Sequence, residues 1–136
     1  MALYRIFPSQ DASLFSEFPT ANTGRDELLE VGRYDSNGNY RTIRSLIQFD
    51  TSEIQDVINN KSNKTLLGAT LNLTLNFAQE LPTSFTLEAK ALTEAWVEGT
   101  GKFGDNPTNT TGCSWNKKNA SDDWSTSGGG TFKIFN

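Results

Sequence analysis

From Ala69 to Phe77 the chain reads Ala-Thr-Leu-Asn-Leu-Thr-Leu-Asn-Phe, apolar and polar residues in nearly strict alternation, and Phe85-Thr-Leu-Glu-Ala-Lys-Ala91 repeats the pattern after a break at Leu81-Pro82. A period of two gathers the apolar side chains of a strand on one face, whereas a helix requires spacings of three and four. The two runs are therefore expected to lie as neighbouring antiparallel strands. Further strand candidates are Leu3 to Phe7, Ala12 to Ser16, Glu27 to Gly32 and the long run Tyr40 to Phe49. Asn37-Gly38 stands before the last of these, and that dipeptide accepts the positive backbone angles of a tight hairpin. One internal segment has helical spacing: Thr51 or Ser52 can cap a short helix carrying Ile54 and Ile58, and a second helical turn is expected around Thr93 to Trp96. The expected fold class is all-β, with one or two short helices.

Residues 96 to 130 hold all three tryptophans in a glycine-rich frame: Trp96-Val-Glu98-Gly99-Thr-Gly101, Gly112-Cys-Ser-Trp115, and Trp124 followed by Gly128-Gly129-Gly130. Large aromatic side chains need a core to enter, and this stretch has almost no periodic apolar pattern of its own. Trp96, Trp115 and Trp124 are thus expected to anchor loops onto a core built elsewhere. The competing use of such side chains is a platform for stacking sugar rings, and all three are candidates for it.

At 136 residues the chain has the length of one domain, and 35% hydrophobic content suits a thin sandwich better than a thick α/β body. A net charge of −4 disfavours a nucleic-acid partner, which requires a basic face. No apolar run is long enough to span a bilayer, and the opening Met1 to Pro8 lacks the apolar centre of a signal peptide. Cys113 is the single cysteine, so neither an internal disulfide nor a cysteine metal cage is expected.

There is no histidine, which removes the commonest general base and metal ligand. The remaining carboxylate pairings are Glu94 with Glu98, Asp122 with Asp123, and Asp50 near Arg44. Each has a plainer use, in a short turn, a polar loop and a helix cap respectively. Asp35-Ser-Asn37-Gly-Asn39 resembles the start of a calcium loop, but its glycine is misplaced and no acidic residue closes it. The spacing of Asp105, Asp122 and Asp123 sets out no calcium loop either. The glycine stretches precede no helix and carry no Lys-Ser or Lys-Thr, so they read as loops and not as phosphate cradles. Five Asn-x-Ser/Thr triplets match the glycosylation pattern and, without a secretion signal, read as Asn- and Thr-rich sequence. No catalytic residue, metal or cofactor is expected.

In chain order, Asp11-Ala12, Pro19-Thr-Ala-Asn22-Thr-Gly24, Leu28-Leu-Glu-Val31-Gly32, Arg44-Ser-Leu46-Ile-Gln-Phe49-Asp50, Ala69-Thr-Leu71-Asn-Leu73, Thr93-Glu-Ala-Trp96-Val-Glu98-Gly99, Gly112-Cys-Ser-Trp115, and Trp124 with Gly128-Gly129 resemble the DNRLRE-type jelly-roll domain. The resemblance covers nearly the whole chain. It implies an antiparallel β-sandwich of jelly-roll type, used as a non-catalytic module in large extracellular proteins and in tailed-phage virion proteins; some relatives look like carbohydrate-binding modules for acidic polysaccharides. It also implies that Arg44, Phe49, Asp50, Trp96, Glu98, Trp115 and Trp124 are structural anchors, the arginine and carboxylates pairing inside the sandwich. Two departures stand out. The family places an acidic residue after the double glycine, where this chain has Gly130, and it continues through further strands. The expectation is a single jelly-roll domain over 1–136 that lacks its last strands, supplied by a longer parent chain or by a neighbour through strand addition.

The functional expectation is a structural virion protein of a tailed phage, in capsid decoration, collar or tail. It would be assembled in the host cytoplasm, in contact with other virion subunits as a homo-oligomer or part of a large assembly, with neither nucleic acid nor membrane as partner. The alternative is an extracellular carbohydrate-binding module.

Overall fold

The computed structural model describes residues 3–61, 66–78 and 86–130, with the backbone of 132–133. Its regular structure is mostly strand, with one short helix, which makes the class all-β. Strand β1 (Pro8–Phe15), β2 (Gly32–Ser36) and β3 (Asn39–Phe49) form an antiparallel sheet in the order β1-β3-β2, and β4 (Ala91–Leu92) pairs with β5 (Phe132–Lys133).

The β2–β3 hairpin turns where expected. Ser36 pairs with Asn39, and Asn37 (φ 54°) and Gly38 (φ 79°) both take the left-handed backbone that a two-residue turn matching the strand twist demands. The Asp35 carboxylate, suggestive of a calcium ligand in sequence, accepts the Gly38 N–H at 2.9 Å and so belongs to the turn.

In β1, four consecutive residues from Ala12 to Phe15 are buried, which a strand covered on one face cannot achieve. Ala12 and Leu14 enter the core, opposite Leu46 and Arg44 of β3. At the free edge of β1 the Thr23 hydroxyl accepts the Ser13 N–H at 2.9 Å and donates to the Ser13 carbonyl at 2.6 Å, and on the other face the Phe103 ring lies 4.7 Å from that of Phe15.

The helix α1 (Thr51–Asp56) is capped by Asp50, not by Thr51 or Ser52: its carboxylate accepts the Ser52 N–H and hydroxyl, each at 2.7 Å. Such a cap satisfies N–H groups of the first turn that have no partner within the helix. Val57–Lys61 continues the helix as one wider π turn.

Several expected elements are absent. Leu3 to Phe7 and Glu27 to Val31 form no ladder, and Thr93 to Trp96 forms no helix. Ala69 to Phe77 and Thr86 to Lys90 have the alternation of strands but lie in no ladder, so the two runs are not paired neighbours. Periodicity selects the conformation in which a strand can hide one face; it does not supply the partner that hides it. Leu81-Pro82 and Phe85 lie outside the described residues, as do Thr131, Ile134 and Phe135.

Candidate functional site

The core is a junction between sheet and loops. Ala12, Leu14 and Leu46 from the sheet meet Trp96, Cys113 and Trp124 from the loops, with Leu92 and Trp115 packed at the margin. Tryptophans without secondary structure of their own thus reach a core because the loops carrying them are strapped together. Cys113 N–H donates to the Val97 carbonyl (2.7 Å), Ser114 N–H to Lys117 (2.8 Å), and Trp124 N–H to Asn116 (3.1 Å).

At the centre of the straps is Asn22, which is fully buried. Its side-chain nitrogen donates to the carbonyls of Glu98 (2.6 Å) and Cys113 (2.8 Å), and its side-chain oxygen accepts the Gly101 N–H (2.7 Å). Its own N–H donates to Asn109 at 3.0 Å. One carboxamide thereby replaces a ladder among three loops, and the approach requires glycine. A Cβ on Gly99, whose φ is +85°, would collide with the Asn22 carboxamide, and one on Gly112 would collide with the backbone of Glu98 and Gly99.

The anticipated anchors divide by burial. Trp96 and Trp124 are 8% and 5% exposed, and the Trp124 indole N–H donates to the Ser114 carbonyl at 2.9 Å. Trp115 is half-buried beneath the Arg44 guanidinium, 5.3 Å above its ring, and the same arginine donates to the Gly128 carbonyl at 2.6 Å. Arg44 thus ties β3 to the last glycine loop, combining a charged hydrogen bond with ring stacking. Phe49 is half-buried at the end of β3, and Asp50 is exposed at the helix cap.

The carboxylates considered for acid–base work are taken up as hydrogen-bond acceptors and ion-pair partners. Glu98 accepts the Asp11 N–H at 2.8 Å, locking the loop that carries Trp96 to β1. Burial, and secondarily the Glu98 charge, raises the Asp11 carboxyl above its ordinary value. Glu94 accepts both the N–H and the hydroxyl of Ser125, with the Lys118 ammonium at 3.4 Å. The Ser125 hydrogen bonds are the main reason that its carboxyl is held below the ordinary value. Asp123 is paired with Lys117 at 2.9 Å, and Asp122 accepts from Asn119 at 2.9 Å. Burial pushes the Cys113 thiol up to about 12, leaving it un-ionised at neutral pH. Among the described residues no group of three or more His, Cys, Asp or Glu side chains could hold a metal ion, and no helix is long and apolar enough to cross a membrane.

One surface recess is an open cleft of about 420 Å³ between residues 17–21 and 102–108. Phe18 and Phe103 meet there edge to face at 5.2 Å, each 46% exposed, beside Lys102 and Asp105. Lys102 is ion-paired with Glu27, and Phe103 N–H donates to the Asp26 carboxylate.

Sequence reasoning missed Asn22 and Phe103 as individual residues. The signals were an uncharged Asn-Thr-Gly ahead of the glycine-rich frame, and an isolated aromatic between Lys102 and Gly104. Compared with protein-family models, with curated proteins and with solved structures, the chain matches none. The geometry by itself defines a small β domain whose core is closed by interlocked loops.

Proposed function

We propose that this chain is a non-catalytic structural subunit of a tailed-phage particle, built on a DNRLRE-type jelly-roll sandwich and working through contacts with other particle proteins. One observation carries the reading: along the unladdered stretch 66–78, Leu66, Leu67, Leu71, Leu73, Leu75 and Phe77 are 49–78% exposed. Contiguous apolar surface of this kind is characteristic of an interface, and an alternating run without ladder partners is suited to strand addition. The use of Glu94, Glu98 and Asp50 as backbone acceptors supports a structural role over a catalytic one.

The test is to look for the chain in density-purified particles released from cells that carry its gene, by mass spectrometry and by antibody labelling on electron micrographs. Stoichiometric presence at one position in the particle is expected. Its absence from particles, with the protein abundant in the lysate, overturns the reading.

Binding of an acidic polysaccharide is the second reading, and the cleft favours it. Phe18 and Phe103 offer partly open rings beside Lys102, whereas Trp96 and Trp124 are enclosed. Under this reading alginate-like polymer binds the chain and F103A abolishes the binding.

A further inference from the structure

The run Leu71-Asn-Leu-Thr-Leu-Asn-Phe77 is a palindrome in polarity. An antiparallel partner of the same sequence, centred on Thr74, places Leu73 opposite Leu75, Asn72 opposite Asn76, Leu71 opposite Phe77, and Thr74 opposite itself. Each apolar residue meets an apolar residue and each amide an amide, the matches that favour cross-strand pairing.

Three observations make a second copy the occupant. All residues from Ala69 to Ala78 are exposed and lie in no ladder; Leu71, Leu73, Leu75 and Phe77 are 49%, 63%, 72% and 73% exposed. Thr65 to Gln79 is the longest stretch of the chain without a charged residue, and it contains no proline, so the usual guards of a free strand edge are missing. In a chain of net charge −4, this is where two copies can approach without bringing carboxylates together. The other alternating run is a poorer partner. Its Ala91-Leu92 end is already paired with Phe132-Lys133, and Glu88 and Lys90 are bound to each other at 2.8 Å.

We infer that Leu71–Phe77 pairs antiparallel with the same segment of a second copy of this chain, about a two-fold axis through Thr74. The pairing is isologous, and used at one edge of the segment it yields a dimer. It rests on the assembly reading in that it names a partner for the same exposed stretch, but the two can fail separately.

The test combines light scattering on the full chain with register-specific cross-linking. The unaltered protein should have twice its 15.0 kDa mass at micromolar concentration. Under mild oxidation T74C should form a disulfide-linked dimer, because the two positions face each other on the axis. N72C alone should not, since four residues of offset separate its copies by about 14 Å along the strands. N72C/N76C should cross-link again. L73K/L75K, which opposes like charges, should give a monomer, and L73K/L75E should restore the dimer. A monomeric wild-type chain, open-ended aggregates, or equal cross-linking of N72C and T74C would overturn the inference. A monomer found in purified particles leaves the assembly reading standing, and a dimer absent from particles leaves only the two-fold pairing.

Discussion

The side-chain nitrogen of Asn22 donates to the carbonyl of Glu98 at 2.6 Å across 76 residues of chain, and the same group reaches Cys113 at 2.8 Å. Three loops depend on it. Asn22→Leu removes both donations and leaves the two carbonyls and the Gly101 N–H without this partner. Asn22→Asp keeps the shape but turns a carboxylate toward two carbonyl oxygens. Each should cost about 3 kcal/mol in urea unfolding, whereas Thr110→Ala on the exposed loop should stay within about 0.5 kcal/mol.

Two glycines with positive φ should respond differently to alanine. Gly38 (φ +79°) faces open space, so Gly38→Ala carries only the backbone cost of about 1 kcal/mol. Gly99 (φ +85°) has the Asn22 carboxamide where the methyl would go, and Gly99→Ala adds overpacking for a total of about 3 kcal/mol. Thermal melting of the two variants side by side measures the difference; equal losses would show that the Asn22 contact is dispensable.

The Glu94 carboxyl is depressed below its ordinary value of 4.5, chiefly by Ser125. A depressed acid stabilises the fold above its unfolded pKa and loses that contribution as pH falls through the folded one. Acid unfolding below about pH 4.5 should therefore be shallower in Glu94→Gln than in the unaltered chain. Asp11, whose carboxyl is raised, works in the opposite sense, so Asp11→Asn should steepen the same slope. Melting temperatures between pH 3 and 7 report both.

Cys113 is wholly buried, and its thiol is pushed up to about 12. A thiol reagent at pH 8 should label the native protein only as fast as the fold opens, and labelling should become immediate in denaturing urea. Rapid labelling without denaturant would mean that the Trp96–Trp124 junction opens readily.

The legible part of this molecule was local. Asn37-Gly38 specifies its own turn, Tyr40 to Phe49 has the apolar content of a central strand, and the Asp50-Thr-Ser sequence contains its own cap. The tryptophan-glycine frame also announced loops anchored on a foreign core. What stayed hidden depends on residues distant in sequence: no local signal states that Asn22 will meet Glu98 and Cys113, or that Thr23 will substitute for a strand beside Ser13. The run Ala69 to Phe77 shows the converse limit, with a strong strand pattern and no ladder, because pairing is decided by a partner the pattern cannot name.

The interlock at Asn22 also orders events in time. During synthesis the hairpin of β2 and β3 and its β1 neighbour emerge first, but the carbonyls that satisfy Asn22 and the indoles that cover Leu14 and Leu46 come from residues 96 to 124. Contacts of such long sequence separation form slowly. Until the ribosome delivers them, the early sheet is uncovered while Leu71 to Phe77 has already emerged. Neighbouring nascent chains on one message thus present matching segments to each other before either has closed its own core.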